Sequence, residues 1–342
     1  MGAGQAGLAT GYYLKKLNKN FIIIDAGNKI GDTWRNRWDS LELFTPRPFA
    51  ALPGAKVSRE YSYYPTKDEI ADYLETYAIK YQLPIIQQTK VISIKHQGSS
   101  FIINTSLGSV TTKKVVIAAG PYTKAFIPTC AIKLNKTIHQ MHSSEYKNPQ
   151  QFASRSVTII GGGNSATQIA EELFNAGKIV TLISSKMPWF LPKTIFGISS
   201  YWWFYLTGIL NSPATSRISI YVRQRGDGII GTKALKLIKS NLINHISSKV
   251  VGATSNKLEL QDKRQIKPES VLWATGFKPD YSWLKIPKAV GDDGIPNQNK
   301  GVSIINGIYW VGLPWQSRMN SGIINGVGQD AKNIVSSMYK QD

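Results

Sequence analysis

The chain contains a single cysteine, Cys130, among its 342 residues. That count excludes an intramolecular disulfide, a C-x-x-C redox pair and a cysteine-rich metal site together, and it points to a cytoplasmic setting. Histidine is nearly as scarce. His96, His139, His142 and His245 are too scattered in sequence to suggest a metal centre, and no metal is expected. Acidic residues are few as well: Asp and Glu total 21 against 41 Lys and Arg, a formal charge of +20. None occurs from Thr76 to Ser144 or from Leu173 to Gly226. Such a field attracts phosphate-bearing partners. No Lys/Arg cluster interleaved with aromatics reads as a nucleic-acid module, so the phosphates expected are those of cofactors, not of a nucleic acid. The chain also lacks a long apolar run. Ile195 to Leu210, which includes Trp202, Trp203, Phe204 and Tyr205, falls short of the ~20 residues that span a bilayer. It reads as a buried or pocket-lining segment, and no membrane association is expected. A glycine-rich turn follows Met1 at once, so no signal peptide is expected either.

What the chain does have is a duplicated glycine turn. Gly2-Ala3-Gly4-Gln5-Ala6-Gly7 fits G-x-G-x-x-G, the spacing that permits a tight turn, close approach of backbone to a pyrophosphate and close helix packing. A helix to Lys19 and a buried strand, Phe21 to Ile24, follow, and the strand closes on Asp25, eighteen residues after Gly7. An acid there accepts hydrogen bonds from ribose hydroxyls. The apolar strand that should precede the first glycine is missing, which reads either as a truncated start or as an empty central sheet position. Truncation is favoured because a gap would expose backbone groups on both neighbouring strands.

Gly161-Gly162-Gly163-Asn164-Ser165-Ala166 is a second fingerprint, and it has its preceding strand, Val157 to Ile160. The following strand, Ile179 to Ile183, ends in Ser184-Ser185-Lys186 instead of an acid. Hydroxyls and a cation suit a 2′-phosphate that a carboxylate would repel. The economical pairing is FAD at the first turn and NADPH at the second, with hydride passing from nicotinamide to flavin. Candidate cofactor-binding residues are therefore Gly2, Gly4, Gln5, Ala6, Gly7 and Asp25 for FAD, and Gly161, Gly163, Asn164, Ser165, Ser184, Ser185 and Lys186 for NADPH. Val91 and Ala119-Gly120, which follows the strand Val115 to Ala118, join the FAD set, as does Gly322. A helix expected from about Ser321 could aim its positive end at the flavin.

The fold class expected is α/β, with two Rossmann-like dinucleotide-binding domains of the three-layer ββα type. The NADPH domain, 151–270, is inserted in an FAD domain made of 1–150 plus 271–342. Short antiparallel strands are expected at Val91–Ile94, Phe101–Thr105 and Val110–Thr112. Lys186 to Gly231 is aromatic and loop-like, an excursion over a pocket.

Gly31-Asp32-Thr33-Trp34-Arg35, then Leu41-Glu42-Leu43-Phe44-Thr45-Pro46 and Tyr64-Pro65-Thr66, resemble the flavin-containing (class B) monooxygenases, especially small bacterial FAD/NAD(P)-dependent members. Trp273-Ala274-Thr275-Gly276-Phe277-Lys278-Pro279-Asp280 is similar to that family's second-crossover motif. The resemblance covers essentially the whole chain. It implies that Trp34, Arg35, Thr45, Ala274, Thr275 and Gly276 contact cofactor, and that oxygen adds to the reduced flavin at C4a before transfer to a small soft nucleophile (N or S) or a ketone. Two departures stand out. Of the family pattern F-x-G-x-x-x-H-x-x-x-Y/F, His142 and Tyr146 match while Lys136 and Ile138 replace Phe and Gly; Thr45 stands where many members carry Asn. Thr45 and His142 are the catalytic candidates, with an interdomain structural role equally open for His142. Trp189 to Leu210 and Trp315 are candidates for a dry wall. Dioxygen and a small molecule are the expected partners, and a homodimer stays open. Three other readings remain: an NAD(P)H:acceptor reductase or oxidase without oxygen transfer, a non-enzymatic redox-sensing or transport-accessory flavoprotein, and an inactive remnant that binds FAD poorly.

Overall fold

The computed structural model describes residues 1–58, 63–226 and 228–340. Helix α1, Gln5–Lys16, starts directly after Gly4 and ends on Lys15 and Lys16, where cations oppose the negative end of its dipole. It buries Ala6, Leu8, Ala9 and Leu14. The chain continues through strand β1, Ile23–Ile24, and a single helical turn, α2, Asp32–Arg35. Helix α3, Lys67–Lys80, opens on a capping box: Thr66 accepts from the Glu69 N–H while the Glu69 carboxylate accepts from the Thr66 N–H. Strand β2, Ile85–Ile86, pairs in parallel with β1.

Three antiparallel strands follow: β3, Val91–Gln97; β4, Ser100–Thr105; and β5, Gly108–Thr112. They are the three expected, each extended at one end: β3 to Gln97, β4 back to Ser100 and β5 back to Gly108. Strand β6, Val115–Ile117, pairs in parallel with Ile308–Trp310. Met1 and Gly2 lie between β1 and β6: the Met1 amine donates to the Val116 carbonyl at 2.8 Å, and Gly2 N–H donates to Ile24 O at 2.8 Å.

Residues 124–125 form β7, which pairs antiparallel with Phe277–Lys278. Strand β8 is His139–His142, β9 is Ser156–Ile160 and β10 is Ile179–Ser184. With Asn244–Ser247 and Ser270–Trp273 they make a five-stranded parallel sheet in the order Asn244–Ser247, β10, β9, Ser270–Trp273, β8. Helix α4, Asn164–Asn175, joins β9 to β10 and buries Ala166, Ile169, Ala170 and Leu173. The three inner strands, β9, β10 and Ser270–Trp273, are mainly apolar and buried, as expected where both faces are covered, whereas the edge strands His139–His142 and Asn244–Ser247 are largely polar. Strand β8 lies wholly outside the 151–270 span expected for the second unit, and Ser270–Trp273 runs past its end, so this sheet crosses both expected boundaries.

Two sequence expectations need correction. The stretch 186–231 is not simply a loop. It holds a hairpin, Thr194–Ile195 with Ile198–Ser199, then α5, Ser200–Leu206, and α6, Arg217–Arg225. Ser199 and Ser216 cap these helices by accepting from the N–H groups of Tyr201 and Ser219, a local signal masked by the aromatic composition. After α7, Lys233–Lys239, the last helix, α8, is Val327–Met338 and does not start near Ser321. Residues 320–326 form tight turns instead, with Ile323 N–H bonded to Asn320 O and Gly326 N–H to Ile323 O. A side chain at Gly326 would sit 1.9 Å from Asn320 O.

Candidate functional site

The two glycine turns are built alike. At Gly2, φ is +92° and an added Cβ would lie 2.4 Å from Ala118 O, at the end of β6. At Gly161, φ is +139° and the corresponding atom would lie 2.1 Å from Ala274 O, just past Ser270–Trp273. In each unit the first glycine therefore lets the turn press against the carbonyl of a neighbouring strand end, which a side chain would forbid. The second glycine differs. A Cβ at Gly4 or Gly163 would meet no protein atom within 4 Å. Each is the N-cap of its helix, α1 or α4, and neither supplies a side-chain cap. Two helix N-termini thus present unclaimed N–H groups to open space, the arrangement that binds a pyrophosphate.

Around the first turn the Asp25 carboxylate accepts from Ala3 N–H at 2.6 Å and from Gly27 N–H at 2.7 Å. It clamps the turn and retains lone pairs for ribose hydroxyls. Thr89 N–H donates to Asp25 O, which brings the strand carrying Val91 alongside. Gln5 Nε2 donates to Gly322 O at 3.3 Å, and a Cβ at Gly2 would lie 3.4 Å from Ala119 N, so Gly322 and Ala119 border the same turn, with Gly120 next in the chain. Trp34 packs against the core of this unit. Arg35 is committed elsewhere: its guanidinium donates to Ile30 O and to the carboxylates of Asp72 and Glu75, the latter two at 2.7 Å.

Around the second turn Ser185 and Lys186 are exposed, whereas Ser184 is buried. The Ser184 hydroxyl donates to Lys186 O and lies 2.8 Å from His245 Nε2. Lys186 Nζ reaches the Arg225 carbonyl at 2.9 Å. Asn164 and Ser165 stand in the first turn of α4, with Asn164 Oδ1 buried and without a donor among the described residues. Ala274 supports Gly161, and the Thr275 hydroxyl donates to Phe126 O across the linker crossing. Both cradles fit a dinucleotide: one pairs with a carboxylate, the other with an exposed cation.

Thr45 joins this frame to the aromatic segment. Its hydroxyl lies 3.0 Å from that of Tyr201, both buried, and burial pushes the Tyr201 phenol up to about 12. Phe44 and Phe49 pack on the Tyr201 ring, and Phe49 also meets Trp202 and Tyr205. Beside them is a cavity of about 160 Å³ lined by Phe49, Tyr205, Leu210, Asn320 and Asn325 among others. The amide oxygens of Asn320 and Asn325 are buried and lack donors among the described residues. Tyr201 falls in the aromatic segment singled out from sequence, but its pairing with Thr45, 156 positions away, was beyond sequence reasoning, as were Asn320 and Asn325. Trp315 has φ +58° and does not line this cavity. Among the described residues no group of three or more His, Cys, Asp or Glu could hold a metal ion, and no helix is long and apolar enough to cross a membrane.

Residues 1–202 match the family model of pyridine nucleotide-disulphide oxidoreductases. The chain is 43% identical to the uncharacterized oxidoreductase CzcO-like of Geobacillus kaustophilus, over 99% of this chain and 97% of that one. It is 28% identical to the probable indole-3-pyruvate monooxygenase YUCCA3 of Arabidopsis thaliana, covering 92% and 81%. The flavin-containing monooxygenase from Stenotrophomonas maltophilia superposes with a TM-score of 0.83 at 25% identity, over 98% of this chain and 96% of the other. The chain belongs to the flavin monooxygenase branch of this oxidoreductase family. As a flavin-dependent oxidoreductase it uses FAD and NADPH. The family-pattern residue His142 is buried at the end of β8. Its Nδ1 accepts from Ser144 N–H at 3.1 Å, so Nε2–H donates to Gly276 O at 2.9 Å. This flavoenzyme therefore uses a neutral imidazole to lock β8 onto the crossover, and burial holds its pKa below the usual histidine value. Tyr146, the other match, donates to Glu172 at 3.0 Å.

Two outcomes follow. Gly4→Val and Gly163→Val should each keep Tm close to that of the parent, because the new side chains meet no protein atom. Gly4→Val should purify without FAD; Gly163→Val should keep FAD and raise the NADPH KM by about tenfold or more, roughly 1.4 kcal/mol. Loss of folding in both would contradict the cradle assignment. The second concerns pH. The folded state resists protonating His142 while the unfolded chain takes a proton near pH ~6.5, so stability should fall as pH drops below that value, by up to ~1.4 kcal/mol per unit from this group. Thermal melts should show His142→Gln losing less on acidification than the parent; equal losses would contradict the neutral-imidazole lock.

Proposed function

We propose that the protein passes a hydride from NADPH to FAD, then inserts one atom of dioxygen into a small soft nucleophile, at nitrogen or sulfur, or into a ketone. The other oxygen atom leaves as water, and NADPH supplies the two electrons. The observation that carries this reading is the buried Thr45–Tyr201 pair with half-buried Phe44 and Phe49 packed on the Tyr201 ring, beside a cavity of about 160 Å³. Oxygen transfer requires a reaction space from which water is excluded. The cavity is small against the ~300–1,000 Å³ typical of drug-sized ligands, which favours a small substrate. With Cys130 alone, electrons have no internal disulfide to enter.

When bound, the flavin supplies hydride acceptance and oxygen activation. The protein's residues bind, orient and shield. We read the two separate sheets that hold β1 and β6, with α1 and α8, as the FAD unit, and the five-stranded parallel sheet as the NADPH unit inserted in it. The α1 N-terminus and Asp25 hold pyrophosphate and ribose of FAD, bordered by Gln5, Trp34, Val91, Ala119, Gly120 and Gly322. The α4 N-terminus holds the NADPH pyrophosphate, and Ser185 and Lys186 take its 2′-phosphate; Ser184, turned toward His245, shapes the strand end. Arg35 and His142 act as positioning residues, since their polar groups are already engaged. Asn320 and Asn325 offer acceptors to a ligand bearing N–H or O–H groups. The single cysteine also favours a cytoplasmic location.

The test is isotope transfer. Enzyme, NADPH and ¹⁸O₂ are incubated with indole-3-pyruvate, a small thioether or a cyclic ketone, and product label and released peroxide are quantified. One label per product, with little peroxide, is expected for at least one probe, and Tyr201→Phe should divert a several-fold larger share of NADPH to peroxide. Unlabelled products with peroxide matching all NADPH consumed would replace this reading with an oxidase or acceptor reductase.

A further inference from the structure

The second glycine turn and the far end of the aromatic excursion meet. A Cβ at Gly162 would lie 2.9 Å from Ser184 Cβ and 3.7 Å from Pro188 Cγ, so the segment after Lys186 packs on the turn. Phe190–Leu191 then pairs in parallel with Ile229–Ile230, and Ile229 N–H donates to Trp189 O at 2.8 Å. This pairing returns the C-terminal end of α6 to the strand end that carries Ser185 and Lys186. Lys186 Nζ donates to the carbonyl of Arg225, the last residue of α6, at 2.9 Å.

The Arg225 side chain lies over the same segment. Its Cζ is 5.1 Å from the centre of a Trp189 ring and 5.9 Å from that of Tyr221, and Nη1 donates to the Tyr221 hydroxyl at 2.6 Å. Stacking fixes the guanidinium plane, while Nε and Nη2 keep donors for an oxyanion. Ser185, Lys186 and Arg225 are exposed. Among the described residues neither cation is paired with a carboxylate. The sequence offers little competition, since no acid occurs from Leu173 to Gly226. A guanidinium ordered on two rings has lost rotamer freedom that no ion pair with a described residue offsets; an anionic ligand would offset it.

We propose that Arg225 is a specificity-determining residue, the second cation of the subsite that grips the phosphate distinguishing NADPH from NADH. Its fork takes two phosphate oxygens and Lys186 acts beside it as a point charge. The inference rests on the reading of Ser185 and Lys186 given above, and adds to it a residue from the excursion, outside the strand end itself. The phosphate then ties α6 to that strand end, and so fastens the segment whose Tyr201 meets Thr45.

The test is a binding titration without turnover. FAD-loaded protein, whose first cradle is filled, is titrated calorimetrically with adenosine 2′,5′-bisphosphate and with adenosine 5′-monophosphate, which lacks the 2′-phosphate. The parent should prefer the bisphosphate by about tenfold or more. Arg225→Ala should weaken the bisphosphate by about tenfold and leave the monophosphate unchanged, with Tm close to that of the parent, and Arg225→Lys should recover part of the loss. Equal weakening of both ligands would make Arg225 a structural prop and overturn the inference. An Arg225→Ala protein that keeps the parent's preference would overturn it too, while leaving the assignment of Lys186 standing. A parent with no preference would overturn both.

Discussion

The structure depends on a contact repeated twice: a glycine pressed against the carbonyl of a neighbouring strand end, Gly2 on Ala118 and Gly161 on Ala274. Each contact swings the chain so that the next helix starts with free N–H groups aimed at open space. A Cβ at either point would overlap an oxygen at 2.4 or 2.1 Å, so no other residue type permits the geometry. Everything that distinguishes the two sites is added to this shared frame. Asp25 stabilises the first turn through two backbone N–H groups, and the exposed Lys186 gives the second the opposite charge.

The units are coupled where the chain crosses between them. Strand β7 pairs with Phe277–Lys278, and His142 anchors the end of β8 to Gly276 in that crossing. A second coupling runs through aromatic side chains: the 44–49 segment of the first unit packs on Tyr201, Trp202 and Tyr205 from the excursion of the second. This second seam is aromatic, with the hydrogen-bonded Thr45–Tyr201 pair buried at its centre.

Much of this was legible in sequence because the signals are local. Both glycine fingerprints, Asp25, the second unit's strand-helix-strand and the three short strands after Val91 follow from spacing and apolar runs of a few residues. The illegible parts depend on distant contacts or on competing local signals. The Thr45–Tyr201 and Ser184–His245 bonds join positions 156 and 61 apart. Arg35 sits in a motif that resembles a cofactor contact, yet Asp72 and Glu75 on α3 claim its guanidinium. Ser199 and Ser216 capped helices in a stretch whose composition read as loop, while the turns at 320–326 delayed α8 by several residues. The sheet boundaries moved because β8 and Ser270–Trp273 pair with the second sheet, a fact of register that no local pattern carries.

Central to the proposed reaction is electron transfer between two differently charged cradles, from one dinucleotide to the other. The direct measurement is anaerobic stopped-flow mixing of the FAD-loaded protein with NADPH, and separately with NADH, following loss of the yellow flavin absorbance. The account predicts full bleaching in a single turnover, several-fold faster with NADPH than with NADH at equal low concentration. Flavin that stays oxidised with both nucleotides would contradict it.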